Sequence, residues 1–359
     1  MLPTPKNRRG ELASLEQVDL VDNVKLIVKE NVLAVFCDTA LKTVSSAFYN
    51  GGVNQVKAVL NVGVPEGYSD LSLHLDPLEL ITSSAAKVGL TKDYLAMVTA
   101  AKIKNYSLFT KDAQGFSVSV MATAGCQHGE SSGEEMDVQE IAGTINIIVL
   151  IDGNPSESCM VATLITATEA KSAVLRDFDV RSRYTGDSAT GSITDSVTVA
   201  STCKGKTLIL GGPPSKLGKV VGYCVRKTVS DALLKQEPFW CCRTVLDRLK
   251  ERHIGLEKLA VEVSKVDGLA IKPQDLAEIL KNNPCSGAYL LAAAKMDDDY
   301  KKNLLPIDFT SWEEESRCFG EFFASKDDCI KQIDYPEVDL PPFVKHALIK
   351  IVKKAQSMR

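Results

Sequence analysis

The sequence predicts an α/β (or α+β) fold, a mixed β-sheet core with flanking helices, followed by a mostly helical C-terminal appendage. Three observations predict it. First, Ile145 to Ile151 is apolar and largely β-branched apart from Asn146, and it is bounded by Gly143 and Gly153. Such a run without alternation is a strand covered on both faces. Second, Asn154-Pro155-Ser156-Glu157 reads as a helix start, and Val161, Leu164, Ile165, Val174, Leu175 and Phe178 follow at helical spacing. A loop of small and hydroxylated residues, Ser188 to Asp195, then leads into a second strand, Val197 to Ala200. Strand, helix, polar loop and strand make an α/β unit, whose polar groups gather where such units bind ligands. Third, beyond Pro238-Phe239-Trp240 the chain becomes mostly helical in pattern and rich in charge.

The elements before this unit follow in order. Val24 to Cys37 reads as a β-hairpin turning at Glu30-Asn31. Asn50-Gly51-Gly52 marks backbone that needs positive φ or a close approach, or else a plain turn. Val56 to Val64 is another strand or buried segment, with Asn61 inside it. Asp76-Pro77 starts a helix ending at Gly89, and Thr91 to Lys102 gives a second helical pattern capped by Thr91. Tyr106 to Thr123 reads as a hairpin turning at Asp112 to Gly115, and Gly125 ends it. Gln127 to Gln139, dense in acidic residues and glycine, reads as a solvated loop. After the central unit, Thr207 to Leu210 is a short strand, and Gly211-Gly212-Pro213-Pro214-Ser215-Lys216 leads into a helix.

These elements divide the chain into residues 1–237, an α/β domain, and 238–359, the helical appendage. A chain of 359 residues suits that division. A net charge of −4 and a pI of about 5.7 do not invite nucleic acid or an anionic membrane as partner. No apolar run approaches the roughly 18–20 residues of a membrane span. The basic N-terminus lacks the apolar stretch of a secretory signal, so a cytoplasmic protein is expected. Ten cysteines, at 37, 126, 159, 203, 224, 241, 242, 285, 318 and 329, contain no CxxC pair. Four histidines, His74, His128, His253 and His346, stand in no HxxxH frame. The cysteines are therefore expected as small hydrophobes, and neither a protein-bound metal nor a cofactor is expected. Nothing in the sequence specifies an oligomeric state.

The polar residues of the central unit admit two readings each. On a wheel of about 100° per residue, Lys171 falls roughly 50° from the middle of the apolar arc and Glu169 about 110° away. Lys171 is then either a snorkelling lysine or a charge held near a buried site. Glu169 is a surface carboxylate or a site residue. Thr190, Thr194 and Asp195 place hydroxyls and a carboxylate at the lip of a buried strand, as turn chemistry or as groups that bind amides, orient water or serve as nucleophile and base. The Gly211–Lys216 turn can cradle phosphate, although it is not GxxxxGK[ST].

Several stretches together resemble the adenosylcobinamide amidohydrolase (CbiZ) family. They are Ser45-Ser46-Ala47 with Asn50-Gly51-Gly52, Asn61, Met97 to Ala101, Ala122 to Gly125, Gly143 to Asn146, Thr168 to Lys171, Ala189 to Gly191 with Thr194-Asp195, and Ser215 to Gly218. They stand in the family's order over about residues 24–235. Two features depart from the pattern: Ser192-Ile193 in the polar loop and the acidic stretch after Cys126. The resemblance implies hydrolysis of the amide joining aminopropanol to the corrin ring of adenosylcobinamide. The product is adenosylcobyric acid, in corrinoid salvage toward coenzyme B12. It implies a small-molecule corrinoid substrate that carries its own cobalt, and no other cofactor. Among the matching residues, Glu169, Asp195, Lys171, Thr190 and Thr194 are candidates for the chemistry. Ser45, Asn50, Gly51, Gly52, Asn61, Thr99, Thr123, Gly125, Asn146 and Lys216 are candidates for substrate binding. The alternatives are a corrinoid-binding protein without activity and a phosphate-handling enzyme built on residues 211–216.

Overall fold

The computed structural model describes residues 16–65, 76–127, 129–135, 143–266, 268–305, 316 and 338–357. The chain forms two compact units, Met1–Tyr184 with Ser188–Trp240, and Thr185–Asp187 with Cys241–Arg359.

The first unit is built on one nine-stranded sheet that folds back on itself. Its strands are β1 Glu16–Val21, β2 Val24–Lys29, β3 Val32–Ser45, β4 Gly52–Gly63, β5 Tyr94–Thr99, β6 Ser107–Ala113, β7 Phe116–Gly125, β8 Thr144–Asp152 and β10 Ser196–Ser201. A separate two-stranded ribbon joins β9 Asn154–Pro155 to β11 Thr207–Leu208. The helices are α1 Leu78–Lys87, α2 Glu157–Asp177 and α3 Lys216–Gln236. Strand β3 is the fold's hinge. Along one edge its first half pairs with β2 and its last four residues pair with β10, while β4 runs along the other edge. A register break between Phe36 and Leu41 turns the sheet at that point, as bulges do.

The fold-back makes a sandwich. Leu95 and Met97 of β5 pack with Val59 of β4, Met121 of β7, Ile148 and Leu150 of β8 and Ala200 of β10. On one outer face, Ile145, Ile147, Val149 and Ile151 of β8 pack under α2 and α3. On the other, Ala58, Leu60 and Val62 of β4 pack under Ile81 and Ala85 of α1. Strand β8 is therefore apolar on both sides, which explains its unbroken run of Ile, Val and Leu. It pairs in parallel with β10, from Ser196 beside Asn146 to Ser201 beside Ile151. Helix α2 is the crossover between them.

Two local expectations are corrected. Thr91 to Lys102 is not a helix: Tyr94–Thr99 is strand β5, paired in parallel with β4. Its Leu95, Met97 and Thr99 face the sandwich interior, and Tyr94 and Ala96 face α1. Both faces are buried, so hydropathy does not alternate, and Leu, Ala and Met mimic a helix. The second correction concerns α2. Val161 and Ile165 are exposed, and the buried side is Cys159, Met160, Thr163, Thr166, Ala167, Ala170, Lys171, Val174 and Leu175. Small residues and threonines make much of this face because α2 lies close against the sheet and against α3; Thr163 and Thr166 return their hydroxyls to backbone carbonyls one turn earlier.

The second unit is helical: α4 Val245–Lys250, α5 Leu256–Val263, α6 Pro273–Asn282, α7 Pro284–Lys301 and α8 Pro342–Ser357. Leu259, Leu276, Leu290, Phe343 and Leu348 form its core. Asp297 of α7, buried, accepts from the backbone N–H groups of Phe343 and Val344 and so caps the start of α8.

Candidate active site

Lys171 and Asp195 meet at the N-terminal end of β8. The ammonium Nζ lies 2.5 Å from Asp195 Oδ2, and the two side chains keep only 8% and 11% of their surface exposed. Lys171 projects from the buried side of α2 rather than snorkelling. Asp195 ends the polar loop where β10 begins, and its carboxylate gathers donors from three segments. Oδ1 accepts from the backbone N–H of Ile145 at 2.9 Å and from Ser192 Oγ at 2.5 Å. Oδ2 accepts from the Ser192 N–H at 3.1 Å as well as from Lys171. The carboxylate thus closes a short turn on Ser192 and ties that turn to both β8 and α2. Gly191 lies against this pair: a Cβ there would stand 2.7 Å from Asp195 Oδ2 and 2.9 Å from Lys171 Nζ. A side chain there would force the Lys171 or Asp195 end group to shift.

The hydroxyls at the lip are connected too. Thr194 Oγ1 lies 2.8 Å from Thr144 Oγ1, which donates to the Gly143 carbonyl. Thr190 Oγ1 accepts from the N–H of Ser132 at 3.0 Å, and its carbonyl accepts from Ser172 Oγ of α2. Ser132 belongs to the acidic stretch expected as a solvated loop. Its first part is instead strapped onto the site: Glu130 N–H donates to the Gly191 carbonyl, and the Glu130 carbonyl accepts from the N–H groups of Thr190 and Gly191. Residues 136–139 of that stretch, and His128, lie outside the described residues. Cys126 is fully buried beside these groups, and burial first, then the nearby Asp195 and Glu237 carboxylates, pushes its thiol well above the ordinary range.

A second polar cluster lies on the opposite face of β8, inside the sandwich. Asn146 donates to Asn61 Oδ1 at 2.8 Å and to the Val98 carbonyl, and Asn61 donates to Thr123 Oγ1 at 2.9 Å. Thr123 Oγ1 reaches Thr99 Oγ1 at 3.3 Å. All four residues are buried. Thr144 joins the two clusters, since its Oγ1 accepts from the N–H of Ala100, next to Thr99.

Comparison with known proteins settles what the chain is related to. The family model described as adenosylcobinamide amidohydrolase matches residues 17–239. The chain belongs to the adenosylcobinamide amidohydrolase family. A relative of that name in Methanosarcina mazei is 30% identical over 192 residues, 52% of this chain and 83% of its own. An uncharacterized protein of Methanocaldococcus jannaschii is 27% identical over 207 residues, 52% of this chain and 80% of its own. Among solved structures, a protein of Pyrococcus horikoshii superposes with a TM-score of 0.32 at 11% identity, covering 62% of this chain and 84% of its own. The L-aminopeptidase D-Ala-esterase/amidase of Ochrobactrum anthropi gives 0.31 at 9% identity, covering 59% and 79%.

As a member of an amidohydrolase family the protein is a hydrolase, and both polar clusters fall within the matched region. The remaining candidates sit elsewhere in it. Ser45 is buried, 2.6 Å from Thr198 Oγ1. Asn50 has a φ of 52° and donates to the Tyr94 carbonyl. Gly52 has a φ of 80°, and a Cβ on Gly51 would collide with the Ala47 carbonyl, so this turn requires its glycines. Gly125 ends β7, where the Glu237 carboxylate accepts from the N–H groups of Cys126 and Gln127.

Two candidates stand apart from the Lys171–Asp195 pair. Glu169 is exposed and lines an open groove of about 730 Å³ between α2 and α3, with Lys219, Tyr223 and Arg226. Lys216 is exposed on the first turn of α3, and Ser215 before it is that helix's N-cap, accepting from the Gly218 N–H. The Gly211–Lys216 turn thus spends its serine on capping the helix. Among the described residues, no group of three His, Cys, Asp or Glu side chains is placed to hold a metal ion. Nor is any described helix long and apolar enough to cross a membrane. Ser192 and Glu130 are the polar groups at this centre that spacing did not single out.

Proposed function

We propose that the protein hydrolyses the amide joining aminopropanol to the corrin ring of adenosylcobinamide, giving adenosylcobyric acid and aminopropanol in corrinoid salvage. The observation that carries this reading is the buried Lys171–Asp195 pair with Ser192 hydrogen-bonded to it, inside the region that matches the family. Amide hydrolysis needs an attacking oxygen with a base, a charge-stabilising donor and an acid for the leaving amine. Ser192 Oγ already directs its proton at Asp195 Oδ1, so the attacking oxygen is that hydroxyl or a water held in its place, with Asp195 as base. Lys171, on the other carboxylate oxygen, orients Asp195 and compensates the charge that moves during attack. Thr194 and Thr144 at the lip hold the loop to β8 through their hydroxyls, with the Thr144 proton on the Gly143 carbonyl. The cobalt belongs to the substrate, and no further cofactor enters.

The test is incubation of purified protein with adenosylcobinamide and mass detection of both products. Turnover is expected without added divalent metal, and Asp195→Asn should lower it by about 10² or more. Absence of either product from wild-type protein overturns the substrate assignment. Loss of turnover in chelator that a divalent ion restores overturns its metal independence.

A further inference from the structure

The Lys171–Asp195 centre leaves one requirement of amide cleavage unassigned. The leaving nitrogen must take up a proton, or the tetrahedral intermediate expels the attacking oxygen instead. Asp195 is already engaged by four donors, from Ile145, Lys171 and both polar groups of Ser192. Lys171 is engaged with Asp195. A second carboxyl group stands beside them.

Glu130 is held against the polar loop by three backbone hydrogen bonds, one to the Gly191 carbonyl and two from Thr190 and Gly191. These bonds fix its backbone within two residues of Ser192. Its side chain is buried, the residue keeping 7% of its surface exposed. Its Oε1 is enclosed, with no hydrogen-bond partner among the described residues. An ionised carboxylate with an enclosed, unpartnered oxygen loses hydration without recovering it, and the neutral acid loses much less. The charges facing Glu130 are Arg183, which favours ionisation, and Glu134 and Asp195, which oppose it. Cys126, fully buried, is near enough to feel the Glu130 charge. Burial outweighs the arginine, and the carboxyl is held above its usual range. Two neighbouring carboxyl groups are thus set apart by environment, one hydrogen-bonded and paired with an ammonium, the other desolvated and incompletely bonded. Acid and base roles separate in this way in other enzymes.

We propose that Glu130 is the catalytic acid of this site, giving its proton to the nitrogen of the aminopropanol as the amide breaks. The inference rests on the amidohydrolase reading above. The attacking oxygen bonds to the carbonyl carbon and passes its proton to Asp195. The carbon–nitrogen bond breaks, its electron pair stays on nitrogen, and nitrogen takes the Glu130 proton. The proton gained by Asp195 restores Glu130 once the amine has left. Where the attacking oxygen is water, the acid is formed directly. Where it is Ser192 Oγ, a water then attacks the ester and passes its proton to Asp195, and Asp195 returns it to the departing Ser192 oxygen. Either route consumes one water per amide cleaved.

Three measurements on the full-length protein test this. Infrared titration of wild type and Glu130→Gln should show a carboxyl that holds its proton above the usual carboxylate range and that the variant lacks. Its absence overturns the proposal whether or not the enzyme turns over. In the second, Glu130→Gln should lower cleavage of adenosylcobinamide by about 10² or more. A phenyl ester of adenosylcobyric acid, whose leaving group needs no proton, should be cleaved at close to the wild-type rate. Equal losses on amide and ester overturn the acid role, because a merely structural residue would slow both. In the third, the wild-type rate on the amide should fall as pH rises through the Glu130 range, and Glu130→Gln should lose that limb while Glu130→Asp keeps it. An unchanged limb in Glu130→Gln also overturns the proposal. If wild-type protein cleaves the ester but not adenosylcobinamide, the substrate assignment fails, and the infrared difference alone decides whether Glu130 holds the proton.

Discussion

Replacing Lys171 by Met tests the centre directly. Methionine keeps most of the stem's volume and removes the ammonium, which leaves Asp195 buried with the Ile145 N–H and the two Ser192 donors. Breaking one side of a buried ion pair costs about 3–5 kcal/mol, because the remaining charge is left uncompensated. The three hydrogen bonds to the carboxylate are present with and without the ammonium and keep the loss toward the lower end of that range. The net destabilisation should be about 3–4 kcal/mol. For a unit of this size 1 kcal/mol moves the melting midpoint by about 2–4 °C, so a fall of roughly 5–15 °C is expected. The assay is calorimetry on wild type, Lys171→Met, Asp195→Asn and the double variant. Asp195→Asn in the Lys171→Met background should recover stability, since it removes the orphaned charge, and the coupling energy should exceed about 1 kcal/mol. If Lys171→Met melts within about 0.5 kcal/mol of wild type, the ammonium is a solvated group and the ion pair does not organise the site.

Other outcomes follow from the same geometry. Glu169→Gln should leave kcat/KM within about twofold, as for an exposed side chain away from the pair; a loss near 10² would bring the α2–α3 groove into the chemistry. Gly191→Ala should abolish turnover by displacing Lys171 or Asp195, which steady-state kinetics and a melting curve will show together; wild-type rates would mean that the pair has room. A chain ending after Trp240 should melt several degrees above one ending after Gln236, because Glu237 accepts from Cys126, Gln127 and the Trp240 indole; equal midpoints would make that clasp dispensable. Asp297, pushed up to about 6 by burial, is raised above its unfolded value. Its contribution is therefore fully present below about pH 4 and lost as pH rises through about 6. Asp297→Asn should flatten the melting curve of the helical unit across that window, and an unchanged slope would refute the assignment.

Much of the first unit was legible because single elements carry their own evidence. The hairpin at Glu30-Asn31 pairs its strands as the residues imply, and Glu30 takes the positive φ of the turn. The Ile145–Ile151 run is buried on both faces. Two misreadings have different causes, and on β5 it is burial on both faces, which removes the hydropathy contrast that periodicity measures. Strand β5 lies between the sandwich interior and α1, so Tyr94-Leu95-Ala96-Met97 offers no alternation. On α2 Val161 and Ile165 point outward, while Ala, Thr and Cys share the inner face with Met160, Lys171, Val174 and Leu175, since a helix lying close against a sheet takes small side chains at much of the contact. Exposed Val161 and Ile165 then pulled the apparent apolar arc away from the buried one.

The site divides along the same line. Lys171 was legible because it falls near an apolar arc that was itself displaced by Val161 and Ile165; it also belongs to the true buried face of α2, where its ammonium pairs with Asp195 rather than with solvent. Glu130 offered no such signal. It stands in an acidic stretch with Glu134 and Glu135, where a carboxylate is what a solvated loop would carry. What distinguishes it is the bridge from its backbone to Gly191, a pairing across some sixty residues that no local pattern encodes. Ser192 was hidden differently: it departs from the family's usual pair at that position, yet its N–H and hydroxyl both reach Asp195. A threonine at residue 192, as in the Thr-Gly type of pair that Ser192-Ile193 replaces, would keep both the N–H and a hydroxyl. Capture of a covalent acyl intermediate on Ser192 by mass spectrometry would show that this chain uses the side chain itself. A Ser192→Ala variant that keeps wild-type turnover would show that it uses water instead.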